Sequence, residues 1–514
     1  MQNYTVADLL DKPEKGSGPN QSRVALAFED RTLTYGKLSD RVARLAAGLS
    51  SAGFSAGDRV AVLLYNGVEW VELFFAAAKL GGVVVPINYM ITAEEMAFIL
   101  EDAGASWVVS EDALWEITDA ARDPGGGERR YISVGEPRSD AIPYESLFSD
   151  DRFDTSPASQ GDLLLLQYTS GTTGRPKGAM HSHATVLWNS YHQLPDFDLG
   201  WRDVVLGVPA LCWAAGFHDF ALAAFMAGGT FVLNPSTNFD PDAFAATVER
   251  EGVTHTLLVP TVLKRVVGSG ATSRHDLSSL RTVVTGGEPV PPESMLAFEQ
   301  LLPSSQLIQV FGMSEFPTMM LWLDPADAGE RLGAAGKACS IARVRVVDEE
   351  GRDAPDGEVG EIVCRSPACT LGYYGKPEET KALWRDGWMH SGDLASRDED
   401  GFIFVAGRNK DMFISGGLNV YPAEVERVLA ELPGVVEAAV IGVPDESWGE
   451  IGKAFVVVEP GAEPTPERLR EEARVRLAGF KVPRLWELRT EPLPRTTSGK
   501  LTKKSLRAAE RPAD

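Results

Sequence analysis

The fold of this chain is decided around the stretch Tyr168-Thr169-Ser170-Gly171-Thr172-Thr173-Gly174-Arg175-Pro176-Lys177-Gly178. The apolar run 163–166 precedes it and has the length of a buried strand. Residues 184–188 follow it and predict a helix that Ser182 would cap. We therefore predict a loop between a strand and a helix. Its hydroxyls, its glycines, which let backbone N–H groups approach an anion, and the charge of Lys177 suit phosphate binding.

The order of residues distinguishes this loop from an ordinary solvated turn, which the same composition would also fit. It is not a Walker A loop, because no Gly-Lys-Ser/Thr follows a glycine at the required spacing. The stretch closely resembles the signature loop of the adenylate-forming superfamily, which includes acyl-CoA synthetases, adenylation domains of peptide synthetases and luciferases. The resemblance implies that the loop closes over the β- and γ-phosphates of ATP and that Lys177 is catalytic. The ATP-binding residues it implies here are Thr169, Ser170, Gly171, Thr172, Thr173 and Gly174.

The composition is that of an ordinary soluble globular protein. At 514 residues the chain should hold more than one domain, and 24% charged and 44% hydrophobic residues are typical of a globular protein. The net charge of −24 argues against nucleic acid or an anionic membrane surface as the main partner. Four cysteines are too few for a disulfide framework in so long a chain, and their spacing matches no zinc module.

Two further features indicate a cytoplasmic protein without integral membrane contact. The first residues lack the basic and apolar regions of a secretory signal. Residues 204–233 carry the single charge of Asp219, but this charge, Pro209 and several glycines leave pieces shorter than the roughly 20 residues that a bilayer requires. We expect buried strands and helices there. The sequence does not determine the oligomeric state, and a homodimer is possible.

The rest of the chain predicts an α/β fold. Strand 60–64, helix 71–80 and strand 83–86 follow one another at the spacing of a parallel sheet, and Thr92 with Glu95 marks a capped helix start. Further segments follow the same pattern: an irregular connection at 123–159, strands at 255–260, 282–285 and 307–311, a helix at 292–302, and a β-rich part at 344–363. Smaller elements after about residue 410 predict a small α+β domain.

The resemblance covers almost the whole chain and implies its division. Residues 1–409 would form a large N-terminal domain of several subdomains, with parallel sheets and a β-rich part, which binds AMP and the acyl group. Residues 410–514 would form a small mobile α+β cap that carries the catalytic lysine. Lys410 occupies the position of the hinge.

Two motifs would build the nucleotide site of the large domain. The first is Thr285-Gly286-Gly287-Glu288-Pro289, which by resemblance lines adenine with Gly287, Glu288 and Pro289. The second, Phe311-Gly312-Met313-Ser314-Glu315, ends a strand, where open α/β sheets usually bind ligands. Glu315 would be catalytic through Mg²⁺, which prefers few protein oxygens together with phosphates and water. The family usually has Tyr and Thr where this chain has Phe311 and Ser314. Phe311 can still stack on adenine, and Ser314 still provides a hydroxyl near the phosphates.

Three motifs follow near the proposed hinge and in the cap. Asp393 would bind the ribose hydroxyls, since a carboxylate can accept from both, and Arg408 the same sugar or the phosphates. Ser415, Gly416 and Gly417 resemble the loop that lines the coenzyme A channel, where glycines leave room. Pro494-Arg495-Thr496-Thr497-Ser498-Gly499-Lys500 matches the family's C-terminal lysine motif, so Lys500 would bridge the substrate carboxylate and the α-phosphate.

The acyl pocket is the part of the predicted site that the sequence determines least. The resemblance places in its wall Trp213, Phe217, Gly286, Met313, Phe316 and Met319. Bulky rings would close a long channel and favour an aromatic or medium-length acid, although Trp213 could equally be ordinary core. Relatives often have Pro-x-x-His before the pocket, whereas residues 209–213 of this chain lack the histidine.

We therefore predict an ATP-dependent carboxylic acid:CoA ligase that forms an acyl-adenylate and then a thioester, with ATP, Mg²⁺ and coenzyme A, acting on a small-molecule acid. Adenylation with another acceptor or oxyanion stays open, either loading of a carrier protein or activation of nitrite for diazotisation. A hydrolase is disfavoured because no Gly-x-Ser-x-Gly elbow is present. A non-enzymatic AMP-binding module is disfavoured because Glu315 and Lys500 are both present.

Overall fold

The computed structural model describes residues 4–14, 18–122, 129–169, 175–235, 237–287, 290, 292–331, 333–416, 418–445, 447–459, 461–462, 464–495 and 501–510. The chain divides into two compact units. The first unit is Met1–Arg343 with Cys364–Met389, and the second is Val344–Val363 with His390–Asp514.

The first third of the chain alternates strands and helices. Its elements are β1 (Val24–Phe28), β2 (Arg31–Thr34), α1 (Tyr35–Ser51), β3 (Arg59–Leu63), α2 (Val68–Leu80), β4 (Val83–Pro86), α3 (Ala93–Asp102), β5 (Trp107–Glu111), α4 (Trp115–Ala120), β6 (Arg130–Val134) and β7 (Ile142–Pro143). Gly81 caps the carboxyl end of α2 in the left-handed conformation that glycine favours. The predicted capping box of Thr92 and Glu95 opens α3 and is confirmed.

The alternation continues through the middle of the chain. These elements are β8 (Leu163–Thr169), β9 (Lys177–Ser182), α5 (His183–Asp196), β10 (Val204–Gly207), α6 (Ala214–Phe217), α7 (Ala221–Ala227), β11 (Thr230–Leu233), α8 (Pro241–Glu251), β12 (His255–Leu257), α9 (Pro260–Gly268), β13 (Thr282–Gly286), α10 (Pro292–Leu301), β14 (Gln306–Met313), β15 (Phe316–Leu323), α11 (Pro325–Ala328) and β16 (Lys337–Ala338). Short 3-10 helices occur at Val6–Leu10, Asp112–Leu114, Tyr144–Leu147, Ala271–Ser273 and Asn409–Asp411.

Two large sheets result. A nine-stranded sheet has the order β16-β15-β14-β13-β12-β10-β11-β1-β2, and its strands from β14 to β1 in that order are parallel. A seven-stranded sheet has the order β7-β6-β5-β3-β4-β8-β9 and is parallel except for the β8–β9 pair. The main hydrophobic core packs α1 and α2 with residues of both sheets. The predicted parallel α/β architecture is confirmed.

The remaining strands pair mostly in antiparallel fashion. The elements are β17 (Arg343–Val347), β18 (Val359–Arg365), α12 (Pro377–Leu383), β19 (Trp384–Arg385), β20 (Trp388–Arg397), β21 (Ile403–Arg408), β22 (Phe413–Ser415), β23 (Leu418–Val420), α13 (Pro422–Ala430), β24 (Val435–Asp445), β25 (Gly449–Val458), α14 (Pro466–Arg476), β26 (Leu485–Arg489) and α15 (Lys503–Glu510). Strands β17 to β21 form a five-stranded sheet, and β22 to β26 form another.

Three sequence predictions need correction. The loop after β8 does not lead directly into a helix, because β9 intervenes and pairs with β8 as an antiparallel hairpin before Ser182 caps α5. The connection after residue 123 is not wholly irregular, because β6 and β7 lie in it. Strand β12 ends at Leu257, since Pro260 already occupies the first turn of α9, where proline is favoured.

All four cysteines, Cys212, Cys339, Cys364 and Cys369, are buried free thiols. Burial raises the pKa of Cys212 and of Cys339 to about 12. Within the described part of the chain, no helix combines the length and the apolar character that crossing a bilayer requires. Residues 204–233 instead form β10, α6, α7 and β11.

Candidate active site

Lys177 and Glu315, both predicted to be catalytic, contact the same tyrosine. Lys177 is the first residue of β9 and lies opposite Thr169 of β8. Its Nζ is 5.3 Å from the centre of the Tyr373 ring, and the Tyr373 hydroxyl donates a hydrogen bond of 2.5 Å to Glu315 Oε1. Glu315 is only 7% exposed. An ammonium group and a carboxylate thus both lie next to one aromatic side chain.

The turn that carries Glu315 is held from two directions. It connects β14 to β15, and the Glu315 carbonyl accepts from Thr370 N at 2.7 Å. The preceding carbonyl, of Ser314, lies 2.8 Å from His181 Nε2 of β9. Burial lowers the pKa of His181 to about 4, so the imidazole is neutral near pH 7 and its Nε2 can donate to Ser314 O.

Residues 370–374 continue the edge of β9. Leu371 N donates to Met180 O at 2.9 Å, Met180 N to Gly372 O at 2.8 Å, and Tyr374 N to Gly178 O at 2.9 Å. This pairing places Tyr373 beside Lys177. Sequence reasoning missed Tyr373, because a tyrosine in Leu371-Gly372-Tyr373-Tyr374 has no distinctive spacing.

The two predicted adenine-binding segments lie on neighbouring strands. Gly286, at the end of β13, is opposite Val310 in the parallel β13–β14 pair. A Cβ atom at Gly286 would lie 2.3 Å from Val310 O, so only glycine fits the observed strand spacing. Gly287 has φ of +86°, which also favours glycine. The motif on β14 and the turn after it is half-buried, with Phe311, Gly312, Met313 and Ser314.

The predicted acyl-pocket residues have different surroundings. Trp213 is half-buried, and its indole Nε1 is buried without a partner among the described residues. Phe217 is fully buried and contacts the rings of Trp70 and Phe74 on α2, each at 4.6 Å between centres. Phe316 and Met319 are also fully buried. Phe217 therefore contributes to the core, and the role of all these residues in a pocket stays a prediction.

In the second unit, Asp393 and Arg408 form an ion pair. They face each other across the antiparallel β20–β21 pair, and Arg408 Nε is 3.1 Å from Asp393 Oδ1. The Asp393 carboxylate is buried, whereas half of the Arg408 side chain is exposed. The predicted ribose-binding pair is thus assembled within one unit.

The predicted hinge and coenzyme A residues also belong to the second unit. Burial, then the positive charge of Arg408, lowers the pKa of Lys410. The next residue, Asp411, pairs with Arg507 of α15 at 2.9 Å. Gly416 has φ of +60° and donates its N–H to Trp448 O at 2.8 Å, directly after buried Ser415 in β22.

Several predicted site residues lie outside the described residues, and their roles stay predictions. They are Ser170, Gly171, Thr172, Thr173, Gly174, Glu288, Pro289, Gly417 and Lys500.

Away from Glu315, three side chains of metal-ligating type lie close together. His192, Asp196 and Cys339 have ligand atoms within 4.8 Å of one another. However, Asp196 Oδ2 already receives His192 Nδ1 at 3.0 Å and Ser340 N at 3.1 Å. Burial raises the pKa of the Cys339 thiol to about 12.

Comparison with known proteins identifies similar sequences over nearly the whole chain. The AMP-binding enzyme family matches residues 15–374, and the AMP-binding enzyme C-terminal domain matches residues 424–500. A feruloyl-CoA synthase of an Amycolatopsis species is 42% identical, covering 92% of this chain and 93% of the relative. An indoleacetate–CoA ligase of Aromatoleum aromaticum is 34% identical, covering 97% of this chain and 98% of the relative. Among solved structures, an amide bond synthetase from Marinactinospora thermotolerans superposes with a TM-score of 0.86 at 31% identity, covering 98% of this chain and 99% of that one.

Proposed function

Because the chain belongs to the AMP-binding enzyme family, we propose that it joins an aromatic carboxylic acid to coenzyme A through an acyl-adenylate. The protein is an ATP-dependent, adenylate-forming ligase of the acyl-CoA synthetase type. The aromatic substrate rests on one observation above all, the 42% identity to a feruloyl-CoA synthase over 92% of the chain. The indoleacetate–CoA ligase supports the same class of acid.

In the first step, a carboxylate oxygen of the acid attacks the α-phosphorus of ATP and pyrophosphate leaves. No protein nucleophile is required, so catalysis comes from in-line positioning and from offsetting negative charge. Lys177 supplies one positive charge beside the Tyr373 ring. Lys500, by resemblance, would supply a second between the carboxylate and the α-phosphate.

Mg²⁺ would enter with ATP, and Glu315 would hold it. The carboxylate fits this role because it is buried and is oriented by the hydrogen bond that Tyr373 donates to its Oε1, and Mg²⁺ prefers few protein oxygens. When bound, the ion would offset the charge of the phosphate oxygens. The Tyr373 hydroxyl would orient the carboxylate.

In the second step, the thiol of coenzyme A attacks the acyl carbonyl and AMP leaves. We propose that the cap turns about Lys410 between the steps, withdraws Lys500 and presents the loop with Ser415 and Gly416 to coenzyme A. Gating of this kind lets one site carry out two reactions in order. We further propose a cytoplasmic location, which the four buried free thiols support.

A pyrophosphate-release screen tests this function. Wild-type protein is assayed with ATP and Mg²⁺ on aryl acids and on medium-chain and long-chain fatty acids, with and without coenzyme A. We expect aryl acids to give the highest kcat/KM, and mass spectrometry to find aryl-CoA only when coenzyme A is present. A preference for long-chain fatty acids would contradict the proposal.

The likeness to an amide bond synthetase makes an amine the second candidate acceptor. The same screen with an amine in place of coenzyme A decides between them. Thioester formation at a higher rate than amide formation favours coenzyme A, and the reverse order favours the amine.

A further inference from the structure

A buried carboxylate outside the predicted site joins two elements that build it. Asp102, the last residue of α3, accepts a hydrogen bond of 2.8 Å from the Tyr168 hydroxyl through Oδ2. Its Oδ1 accepts from Lys376 Nζ at 2.6 Å. The Asp102 side chain is 9% exposed. We call Asp102, Tyr168 and Lys376 the Asp102 cluster.

The position of Asp102 is unfavourable for α3 itself. The carboxyl end of a helix carries a partial negative charge, which repels an anion in the last turn. A buried carboxylate also loses hydration. The bonds to Tyr168 and Lys376 offset both costs. Asp102 is therefore stabilised by its partners outside α3, not by its position in the helix.

Helix α3 makes a second contact with the same hairpin. Phe98 lies one turn before Asp102, on the same face of the helix. The Arg175 guanidinium is 5.4 Å from the centre of the Phe98 ring. Asp102 thus binds the β8 side of the hairpin, and Phe98 contacts the residue two positions before β9.

Tyr168 connects Asp102 to the strand segment that carries Lys177. Tyr168 lies opposite Gly178 in the β8–β9 pair, one position from the pair Thr169–Lys177. A Cβ atom at Gly178 would lie 3.0 Å from the Tyr168 ring, so the ring packs directly on this part of β9. Movement of Tyr168 would therefore displace Lys177.

Lys376 provides the link toward Glu315. Its backbone N–H donates to Tyr373 O at 3.2 Å, which closes a turn between the two residues. The Tyr373 hydroxyl holds Glu315. Asp102 is therefore tied through Tyr168 to Lys177 and through Lys376 to Glu315.

We propose that Asp102 is a positioning residue of the adenylation step, which fixes Lys177 and Glu315 at the spacing that ATP and its cation require. This inference rests on the proposed function, because it assumes that both groups act on ATP.

Another carboxylate of the first unit provides a matched control. Glu72 of α2 accepts from Tyr144 Oη at 2.5 Å and from Arg41 Nε at 2.5 Å, and its side chain is 0% exposed. Like Asp102, Glu72 is bound by a tyrosine and a cation. The cation, Arg41, lies on α1, and the tyrosine, Tyr144, directly follows β7. Glu72→Gln should therefore lower the Tm without changing the use of ATP.

The test compares Asp102→Asn with Glu72→Gln in both half-reactions. We expect Asp102→Asn to raise the KM for ATP and lower kcat for pyrophosphate release, with kcat/KM reduced roughly tenfold to a hundredfold, the effect of a misplacement of about 1 Å. Thioester formation from supplied acyl-adenylate should change less than about twofold, because that step no longer involves ATP. Asp102→Glu, which keeps the charge, should recover part of the loss.

A double-mutant cycle keeps the test valid if Asp102→Asn folds poorly. Tyr168→Phe and Lys376→Met each remove one donor, and Lys376 is partly exposed. If Asp102 couples Tyr168 to Lys376, the loss of kcat/KM for ATP in the double variant will differ from the combined losses of the two single variants. Additive effects, or an Asp102→Asn enzyme that loses Tm but keeps the KM and kcat for ATP, would overturn the proposal.

Calorimetric titration with ATP separates this inference from the proposed substrate. Wild-type protein that binds ATP but activates no aryl acid would refute the substrate only. ATP affinity would then still report on Asp102, with binding to Asp102→Asn expected to be about tenfold weaker. Equal affinity of the two proteins would overturn the positioning role.

Discussion

At the scale of single residues, the Tyr373 hydroxyl is the donor that holds Glu315. Tyr373→Phe would leave a buried carboxylate oxygen without this bond while keeping the ring beside Lys177. A hydrogen bond to a charged group contributes about 1.5–3 kcal/mol, so we expect pyrophosphate release to slow roughly tenfold to a hundredfold. Tyr374→Phe, the control, removes the neighbouring hydroxyl and should stay near wild type. Equal rates for the two variants would exclude the orienting role of Tyr373.

A second prediction at this scale concerns Trp213. We expect Trp213→Gly to accept longer acids than wild type, because the half-buried ring would no longer close the pocket. Acid specificity is measured by pyrophosphate release over a series of increasing chain length, with Trp213→Phe as the control that keeps a ring. A variant with unchanged specificity and an unfolding free energy lower by about 3–5 kcal/mol would show that Trp213 is core.

The residues that sequence reasoning identified and those it missed differ in kind. Lys177 and Glu315 could be proposed as site residues because they occupy fixed places in recognisable motifs, and their roles stay predictions. Tyr373 and Asp102 could not, because their roles depend on hydrogen bonds between segments far apart in the chain. A tyrosine and a helix-terminal aspartate are common residues, and only their partners distinguish them.

At the scale of elements, the hairpin of β8 and β9 shows where a local pattern is insufficient. The apolar run 163–166 predicted β8 correctly. Strand β9, with the sequence Lys177-Gly178-Ala179-Met180-His181-Ser182, has neither the alternation nor the β-branched residues that predict a strand. It is extended because it pairs with β8 and with residues 371–374, and neither pairing is encoded locally.

The spacing of β13 and β14 can be tested at Gly286. Gly286→Ala would place a Cβ atom 2.3 Å from Val310 O, a backbone atom that cannot move without moving its strand. We expect the unfolding free energy to fall by about 1–3 kcal/mol, as in overpacked cores, measured by urea denaturation. Gly268→Ala at the end of α9, where nothing lies within 4 Å, should not lower the unfolding free energy and is the control. Equal stability of both variants would contradict the steric argument.

At the scale of the whole molecule, the hinge can be tested by stiffening it. Lys410→Pro should keep pyrophosphate release and lose thioester formation, because proline fixes φ where the chain would turn. Lys500→Ala is the control with the reverse expectation. It should lose adenylation but still convert supplied acyl-adenylate to the thioester at the normal rate. Unchanged overall turnover of Lys410→Pro would exclude the hinge, and equal loss of both steps in Lys500→Ala would exclude its assigned role.

Buried histidines make the first unit sensitive to acid. Burial lowers the pKa of His181 and of His183 to about 4 and that of His218 to about 3. Between these values and the unfolded value near 6.5, the unfolded chain binds more protons than the folded chain, so the unfolding free energy falls as pH decreases. We expect the urea midpoint to fall between about pH 7 and pH 4, and His183→Asn to weaken this dependence. An identical pH dependence in the variant would contradict the assignment to His183.

The division of the chain was only partly accessible from the sequence. The α/β elements of the large domain and the small elements of the cap followed from periodicity and length. The structure groups Val344–Val363 with the second unit, because contacts between segments distant in sequence define a compact unit. A hinge, by contrast, is a property of motion, so residue 410 stays a prediction.

The burial of all four thiols has a practical consequence for observing that motion. Maleimide dyes react with thiolates, and Cys212 and Cys339 are both buried and, because their pKa values are near 12, protonated at neutral pH. Cysteines introduced at Val475 on α14, 85% exposed, and at Tyr191 on α5, 54% exposed, would therefore label far ahead of the natural ones. The native sequence is thus a ready background for single-molecule energy transfer, with one fluorophore on each unit and no prior removal of cysteines.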